Sequence, residues 1–260
     1  MSAPVVIGVD NGGTWIRMIG LDNAGRCVWI FKRPAPTVDK LPQFLWKHLR
    51  RFKGRLDGLA VGSRSVWKPS KRRAVKRALQ GLAKRIIVLS DVEAAWMAAF
   101  TSQGIIVIAG TGSIAYGRTA DGTFARAGGL GPDKGDEGSG YWIGREWLQR
   151  TGRIKDVRKS VRDIASLAPK ILARAKRKDP IALEITRDAQ KELATLVTEL
   201  AKKLSWKGTI RISVSGSVLE NAWFQRRFFR ALVPLTVVHQ RNKADAATAL
   251  AKSIMNHAAG

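Results

Sequence analysis

The sequence predicts a two-domain α/β fold in which one strand–helix unit occurs twice. Three strand-like runs separated by Gly-rich or Asn/Gly turns open the chain, and three more follow residue 104. In each half, apolar runs then alternate with amphipathic stretches, as expected when helices connect parallel strands. No Pro/Ser-rich linker separates the halves, so we expect a hinge near Thr101–Gly104. The expected domains are residues 1–102 and 103–260, with the last helix able to pack back on the first domain.

The first half has the order βββαβα, with a further strand and helix before the second half begins. Strands are predicted at Val5–Val9, Trp15–Leu21, Val28–Lys32, Leu59–Val61 and Ile86–Leu89, and helices at Asp39–Phe52, Ser70–Ala83 and Val92–Phe100.

The second half repeats this unit with helices inserted. Residues Tyr141–Leu204 have helical spacing, and Leu193, Leu196, Val197, Leu200 and Leu204 fall on one face. Strands are predicted at Ile105–Ala109, Ile114–Thr119, Thr123–Ala127, Ile210–Val214 and Leu235–Val238, and further helices from about Leu219 and at Ala244–His257.

Composition excludes several classes of protein. The single cysteine, Cys27, cannot form an intrachain disulfide or ligate a zinc ribbon or an intrachain iron–sulfur cluster. The three histidines are scattered along the chain, which does not indicate a histidine metal site. Neither a signal peptide nor a membrane span is evident, so we expect a soluble, cytoplasmic protein without a membrane partner. The phosphate loop GxxxxGK[ST], the dinucleotide fingerprint GxGxxG and the nucleophile elbow GxSxG are absent.

Two glycine turns indicate phosphate binding. The first, Asp10-Asn11-Gly12-Gly13-Thr14, places a carboxylate at a strand end before glycines whose N–H groups can approach an anion. The second, Thr111-Gly112-Ser113, occupies the corresponding place in the second repeat. Related by pseudo-twofold symmetry across a cleft, the two turns would hold the phosphates of a nucleotide from both sides. The alternative is that both are ordinary hairpin turns.

Two further segments carry acids. Asp91 lies at a strand-to-helix junction, where it is either a helix N-cap or a general base for a substrate hydroxyl. The loop Gly128–Gly140 is dense in glycine and then opens a helix. Its Asp136 and Glu137 either hydrogen-bond a polar substrate or help to place Mg²⁺, or they complement the helix dipole.

Together with Val214–Asn221, these segments resemble the BadF/BadG/BcrA/BcrD-type ATPase family and, within it, N-acetylglucosamine and glucosamine kinases. The likeness spans nearly the whole chain, and its most specific part is the string GDEGSGYWIG at 135–144. The resemblance implies duplicated ribonuclease H-like domains of the actin-like ATPase fold with a cleft between them. It also implies MgATP and a small amino sugar as ligands, and a homodimer is compatible with it.

The resemblance also implies roles for individual residues. Asp91 matches the catalytic aspartate that accepts the proton of the sugar hydroxyl, and Asp10 matches the residue that organises Mg²⁺. The remaining matches are phosphate contacts at Asn11, Gly12, Gly13, Thr14, Thr111, Gly112 and Ser113, adenosine-side contacts at Gly216 and Ser217, and sugar contacts at Thr111, Gly129, Asp136 and Glu137.

The chain departs from the family pattern in two respects. Family kinases carry an Asn in the loop after the third strand that binds the sugar, and Arg33–Val38 contains none. The chain also looks shorter than typical family kinases. The family branch of electron activators takes cluster cysteines from each subunit, and Cys27 alone argues against that branch.

The charge leaves a second class of function open. Lys and Arg total 46 against 20 Asp and Glu, a formal net charge of +26 that exceeds what solubility requires. Basic residues concentrate in Lys47–Arg55, Lys68–Arg77 and Arg174–Lys178. Solvated helix faces, steering of anionic ATP and binding to nucleic acid or another polyanion are all compatible with this pattern. The sequence therefore favours a sugar kinase, with an ATPase lacking a sugar acceptor and a polyanion-binding protein without turnover as the alternatives.

Overall fold

The computed structural model describes residues 3–153, 160–233, 235–242 and 244–256. It divides into two compact units, one formed by residues 1–100 and 242–260 and the other by residues 101–241. The described part of the chain contains no helix long and apolar enough to cross a membrane.

Unit 1 contains a five-stranded mixed sheet in the order β3-β2-β1-β4-β5. Its strands are β1 Val6–Asn11, β2 Trp15–Leu21, β3 Cys27–Pro34, β4 Gly58–Ser63 and β5 Arg85–Ser90. Strands β1, β2 and β3 are antiparallel neighbours, whereas β1, β4 and β5 run parallel. The helices are α1 Leu41–Leu49, followed by a 3-10 turn at Arg50–Phe52, then α2 Pro69–Ala78 and α3 Asp91–Ala99.

Alternate residues of these strands enter two different cores, because successive side chains of a strand point to opposite faces. Ile7 and Val9 pack in the core that contains the buried leucines of α1, whereas Val6 and Ala60 pack with the last helix, α9 Ala246–Asn256. A Cβ on Gly8 of β1 would overlap the Ala247 carbonyl of α9, so glycine at this position permits α9 to lie directly on the sheet.

Unit 2 repeats the topology. Its sheet has the order β10-β9-β6-β7-β8, with β6 Gly104–Ala109, β7 Ser113–Arg118 and β8 Phe124–Gly128 antiparallel and β9 Ile210–Ser215 and β10 Val237–His239 parallel to β6. The helices are α4 Gly140–Arg150, α5 Val161–Ala165, α6 Ala168–Lys176, α7 Pro180–Lys203 and α8 Ala222–Ala231. The predicted duplication, with helices inserted in the second copy, is confirmed.

Several predicted boundaries were wrong. The helical stretch predicted over 141–204 is divided, since Gly152 and Lys178 take positive φ angles and Pro169 and Pro180 lie in the first turns of new helices. Helix α2 ends at Ala78 instead of Ala83, before a turn through Gly81 at φ +89°. The helix expected from about Leu219 begins at Ala222, because the Asn221 side chain accepts a hydrogen bond from the Phe224 amide as N-cap.

Two predicted features extend into residues that the structure does not describe. Positions 154–159 of the predicted helical stretch and the end of the last predicted helix, His257, lie outside the described residues.

Candidate active site

In unit 1 the candidate residues lie where β1, β4 and β5 end. Asn11 is in register with Ser63, and Ser63 with Ser90, so the carboxyl ends of these parallel strands share one edge of the sheet. This edge is where open α/β sheets bind ligands. Asp10, expected at a strand end, and Asn11, expected in the turn that follows, both belong to β1 and pair with Arg17 and Ile16 of β2.

Asp10 carries a partly buried carboxylate that accepts no hydrogen bond from the described residues. Burial, followed by the negative charges of Asp91 and Asp245, raises the pKa of Asp10 to about 7, and only Arg17 opposes the rise. A carboxylate that is costly to ionise in the absence of a counter-charge is suited to bind a cation.

Asp91 is the first residue of α3, and the structure assigns the N-cap to its neighbour. The Ser90 hydroxyl accepts the Glu93 amide at 3.2 Å, and the Glu93 carboxylate accepts the Ser90 amide at 2.8 Å, which forms a capping box. The N-cap alternative for Asp91 was therefore wrong. Its carboxylate accepts only the adjacent Val92 amide, at 3.0 Å, from the described residues.

The environment of Asp91 favours proton acceptance. Burial raises the pKa of its carboxyl group, while the Val92 hydrogen bond and the Arg64 charge lower it and Glu93 raises it further. A raised pKa makes the ionised carboxylate a stronger base.

An ion pair holds the start of α3 against α2. Arg72 donates to both carboxylate oxygens of Glu93, at 2.6 and 3.1 Å, and to the Val66 carbonyl at 2.9 Å. Because the Glu93 carboxylate also accepts the Ser90 amide, this network fixes the backbone on either side of Asp91.

The first glycine turn joins β1 to β2 and has an open tip. The Gly12 amide donates to the Trp15 carbonyl at 3.2 Å, as in a hairpin. A Cβ built on Gly13 would meet nothing within 4 Å, and Thr14 is exposed. The hairpin and phosphate interpretations are therefore compatible here.

Asn11, at the start of this turn, is held by hydrogen bonds of its side chain. Its amide nitrogen donates to the Ser63 hydroxyl at 3.1 Å and to the Pro36 carbonyl at 3.4 Å, and its buried amide oxygen has no partner among the described residues. Asn11 thus connects the end of β4 to the loop after β3.

In unit 2 the second glycine turn lies against Asp136. The Ser113 amide donates to the Asp136 carboxylate at 3.2 Å, and the Ser113 hydroxyl donates to the Glu137 carbonyl at 2.7 Å. A Cβ on Gly112 would lie 2.8 Å from Asp136 Oδ2, so a larger residue here would displace the Asp136 carboxylate. Burial raises the pKa of Asp136, the Ser113 amide lowers it and Glu137 raises it.

Three separate segments converge around this turn. The amides of Gly140 and Tyr141, at the start of α4, donate to the carbonyls of Gly110 and Thr111, at 2.7 and 3.2 Å. The turn after β9 lies beside it, where Gly216 at φ +93° has no room for a Cβ because the Ala109 carbonyl would be 2.5 Å away. Ser217 of this turn is exposed.

The loop Gly128–Gly140 is folded against its own unit. Gly129, at φ +68°, donates to the Ser113 carbonyl at 2.9 Å, and a Cβ there would lie 2.7 Å from the Ile114 side chain. Glu137 is partly buried. Ser139, the N-cap, accepts the Trp142 amide, so neither Asp136 nor Glu137 caps α4.

Sequence reasoning missed three residues around Asp10 and Asp91. Asp245 precedes α9, where its carboxylate accepts the Thr248 amide at 3.1 Å and hydroxyl at 2.7 Å. Arg64 follows β4, and Glu93 lies two residues after Asp91. Asp245 had no signal in the sequence, since 235 positions separate it from Asp10.

The unit 1 residues fit a magnesium ion only in part. No group of three or more His, Cys, Asp or Glu side chains in the described ranges could enclose a metal ion. The unpartnered Asp10 carboxylate can supply one oxygen ligand, which suits Mg²⁺ because this ion is commonly held by one or two carboxylates together with water and substrate phosphates.

Two curated proteins resemble the chain. An N-acetylmuramic acid/N-acetylglucosamine kinase of Clostridium acetobutylicum is 26% identical, over 88% of this chain and 90% of that protein. An N-acetyl-D-glucosamine kinase of Dictyostelium discoideum is 27% identical, over 60% of this chain and 56% of that protein.

A solved structure has the same fold. A Chromobacterium violaceum protein, described provisionally as an N-acetylglucosamine kinase, superposes with a TM-score of 0.74 at 22% identity, over 98% of this chain and 100% of that one. The predicted fold class, a duplicated actin-like ATPase fold, is confirmed. The family described as the BadF/BadG/BcrA/BcrD ATPase family matches residues 73–235, well over half of the sequence, and this chain therefore belongs to that family.

Proposed function

We propose that the protein is an ATP-dependent kinase that phosphorylates a hydroxyl group of an N-acetylated amino sugar, with Asp91 as the general base. The observation that carries the proposal is the Asp91 carboxylate. Ser90 and not Asp91 caps α3, and among the described residues the Val92 amide alone donates a hydrogen bond to this carboxylate. Family membership and the names of the two curated relatives support both the nucleotide and the class of sugar.

In the proposed reaction Asp91 accepts the proton as the sugar oxygen attacks the γ-phosphorus of ATP. The new O–P bond forms while the bond from that phosphorus to the β,γ-bridging oxygen breaks, and ADP leaves with that electron pair. Phosphoryl transfer depends mainly on positioning and charge neutralisation, so a carboxylate of moderately raised pKa is a sufficient base.

Nucleotide binding is assigned to both units. In unit 1, Asp10 would hold Mg²⁺, which would neutralise phosphate charge. Gly12, Gly13 and Thr14 are the phosphate contacts, and Asn11 holds this turn in place through its hydrogen bonds to Ser63 and Pro36. In unit 2, Thr111 and Gly112 are the phosphate contacts, because the Ser113 amide and hydroxyl already donate to Asp136 and Glu137. Gly216 and Ser217 form the adenosine-side turn.

Sugar binding is assigned to Asp91, Thr111, Gly129, Asp136 and Glu137. Asp136 retains one carboxylate oxygen, Oδ2, without a hydrogen bond from the described residues, and this oxygen can accept a sugar hydroxyl. The loop Arg33–Val38 lacks the family Asn, so we assign none of its residues to the sugar.

The test is ADP release from MgATP with glucosamine, N-acetylglucosamine, glucose or N-acetylmuramate. We expect sugar-dependent turnover with an N-acetylated sugar, and a fall of about 10²–10⁴-fold in kcat for Asp91→Asn with the ATP Kd unchanged. Asp39→Asn removes an exposed carboxylate elsewhere in unit 1 and is the matched control. ADP release that no sugar increases would replace the kinase with an ATPase, and full turnover in Asp91→Asn would refute its role.

A further inference from the structure

One face of unit 1 is covered by a basic helical layer, which consists of α1, the 3-10 turn Arg50–Phe52 and α2. Leu45 of α1 and Leu79, the C-cap of α2, are buried in the same core. The Trp46 indole nitrogen donates to the Ala78 carbonyl at 2.9 Å, which ties α1 to α2. Two of the basic stretches singled out in the sequence therefore lie side by side on one surface.

The excess of positive charge is densest in this part of the chain. Residues 39–80 contain 13 Lys and Arg against two Asp, whereas the other 218 residues contain 33 against 18 Asp and Glu. One cation of the layer, Arg72, is neutralised by Glu93. The exposed cations in and beside the layer that have no carboxylate within 4 Å among the described residues are Lys40, Lys47, Arg50, Arg51, Lys53, Arg55, Lys68, Lys71, Arg73, Lys76 and Arg77.

A histidine within the layer responds to this positive potential. The pKa of His48 is lowered, first by burial and then by the charges of Lys47, Arg33 and Arg51. An array of unneutralised cations of this density is unfavourable in isolation and attracts an anionic partner.

The form of the surface distinguishes between anionic partners. None of the large hydrophobic side chains found exposed in the described residues lies on the layer, so it offers no apolar anchor for a lipid bilayer. Its aromatic rings are partly buried beneath cations, as Phe52 is beneath Arg51 at 4.7 Å, and do not form an open platform for unstacked bases. Binding to a regular phosphate backbone requires neither an apolar anchor nor an open aromatic platform.

We propose that the basic helical layer binds the phosphate backbone of double-stranded nucleic acid without reading its sequence. Helix α2 alone is about 15 Å long, and over that length a duplex presents about nine phosphate charges. This contact is independent of the proposed kinase activity, because it uses none of the residues assigned to ATP or sugar.

The experiment measures binding of a 25-base-pair DNA duplex by fluorescence anisotropy at several salt concentrations. The test variant replaces four cations of α2 with Gln (Lys71→Gln, Arg73→Gln, Lys76→Gln and Arg77→Gln). The matched control removes four exposed cations of unit 2 (Lys170→Gln, Lys176→Gln, Arg177→Gln and Lys191→Gln), so both variants have the same net charge. Gln has nearly the helix propensity of Lys and Arg, and circular dichroism verifies folding.

We expect the wild type to bind with a steep salt dependence, because each neutralised phosphate releases a counterion. If all four cations contact phosphate, raising the salt concentration from 50 to 200 mM should weaken duplex binding by the wild type about 100-fold more than binding by the α2 variant. The unit 2 control should show the same loss as the wild type. Absence of binding at 50 mM salt, or equal losses in both variants, would overturn the proposal. The proposal would also be overturned if the α2 substitutions weakened binding to vesicles of anionic lipid more than binding to the duplex.

Discussion

The ionisation of Asp10 should make the stability of the ligand-free protein depend on pH. The substitution Asp10→Asn keeps the size of the side chain and removes its charge. In the native state the pKa of Asp10 is raised from 3.8 to about 7, chiefly by burial and by the charges of Asp91 and Asp245. Between these values the folded protein holds a proton that the unfolded chain has released.

The sign follows from that difference in bound protons. Stability falls as pH rises wherever the folded state binds more protons, by at most about 1.4 kcal/mol per pH unit for one group. From pH 4 to pH 8 the loss from Asp10 therefore totals at most about 4 kcal/mol. We expect Asp10→Asn to match the wild type near pH 4 and to exceed its free energy of unfolding by up to this amount at pH 8.

The assay is urea denaturation of both proteins at pH 4, 5.5, 7 and 8 with EDTA present. Asp39→Asn, at an exposed position, controls for the loss of a carboxylate as such. Added Mg²⁺ should then stabilise the wild type at pH 8 and leave Asp10→Asn unchanged, because the cation offsets the charge of the ionised carboxylate. Parallel stability curves for Asp10→Asn and the wild type from pH 4 to pH 8 would refute the reasoning.

Two further substitutions test the surroundings of the site. Gly13→Ala places a methyl group in open space, so the free energy of unfolding should change by less than about 0.5 kcal/mol while ATP binding, measured by calorimetry, weakens; unchanged ATP affinity would leave only the hairpin interpretation. Glu93→Gln removes the ion pair with Arg72, and since that pair is partly exposed we expect a loss of about 2 kcal/mol in urea unfolding. Its kcat should fall while the KM for ATP is retained, because Asp91 loses its positioning; proportional changes in both would contradict this role.

Local residue patterns were sufficient to predict most elements of the fold. The runs that form β2 and β6 were located to within one residue, because alternation and β-branched residues act over a few neighbouring positions. Boundaries inside the long helical region were missed. There Gly152 and Lys178 take positive φ angles, and apolar spacing alone does not reveal a change of φ.

Individual residues of the candidate site were predictable from the sequence, but the hydrogen bonds that hold their polar groups were not. Asp10, Asp91 and the glycine turns were recognisable because each lies at or just after the end of a strand, a position that the local pattern defines. Whether a given group is available was not predictable. Ser113 looked like a phosphate ligand, yet its amide and hydroxyl are held by the loop at Asp136 and Glu137.

The sequence by itself determined the duplicated βββαβα order, the total charge and the positions of carboxylates at the ends of strands. All of these depend only on composition and on neighbours along the chain. The tertiary structure decided that Asp245 lies near Asp10 and that two basic stretches share one surface. Electrostatic interactions depend on distance in space and on burial, and a linear pattern contains neither quantity.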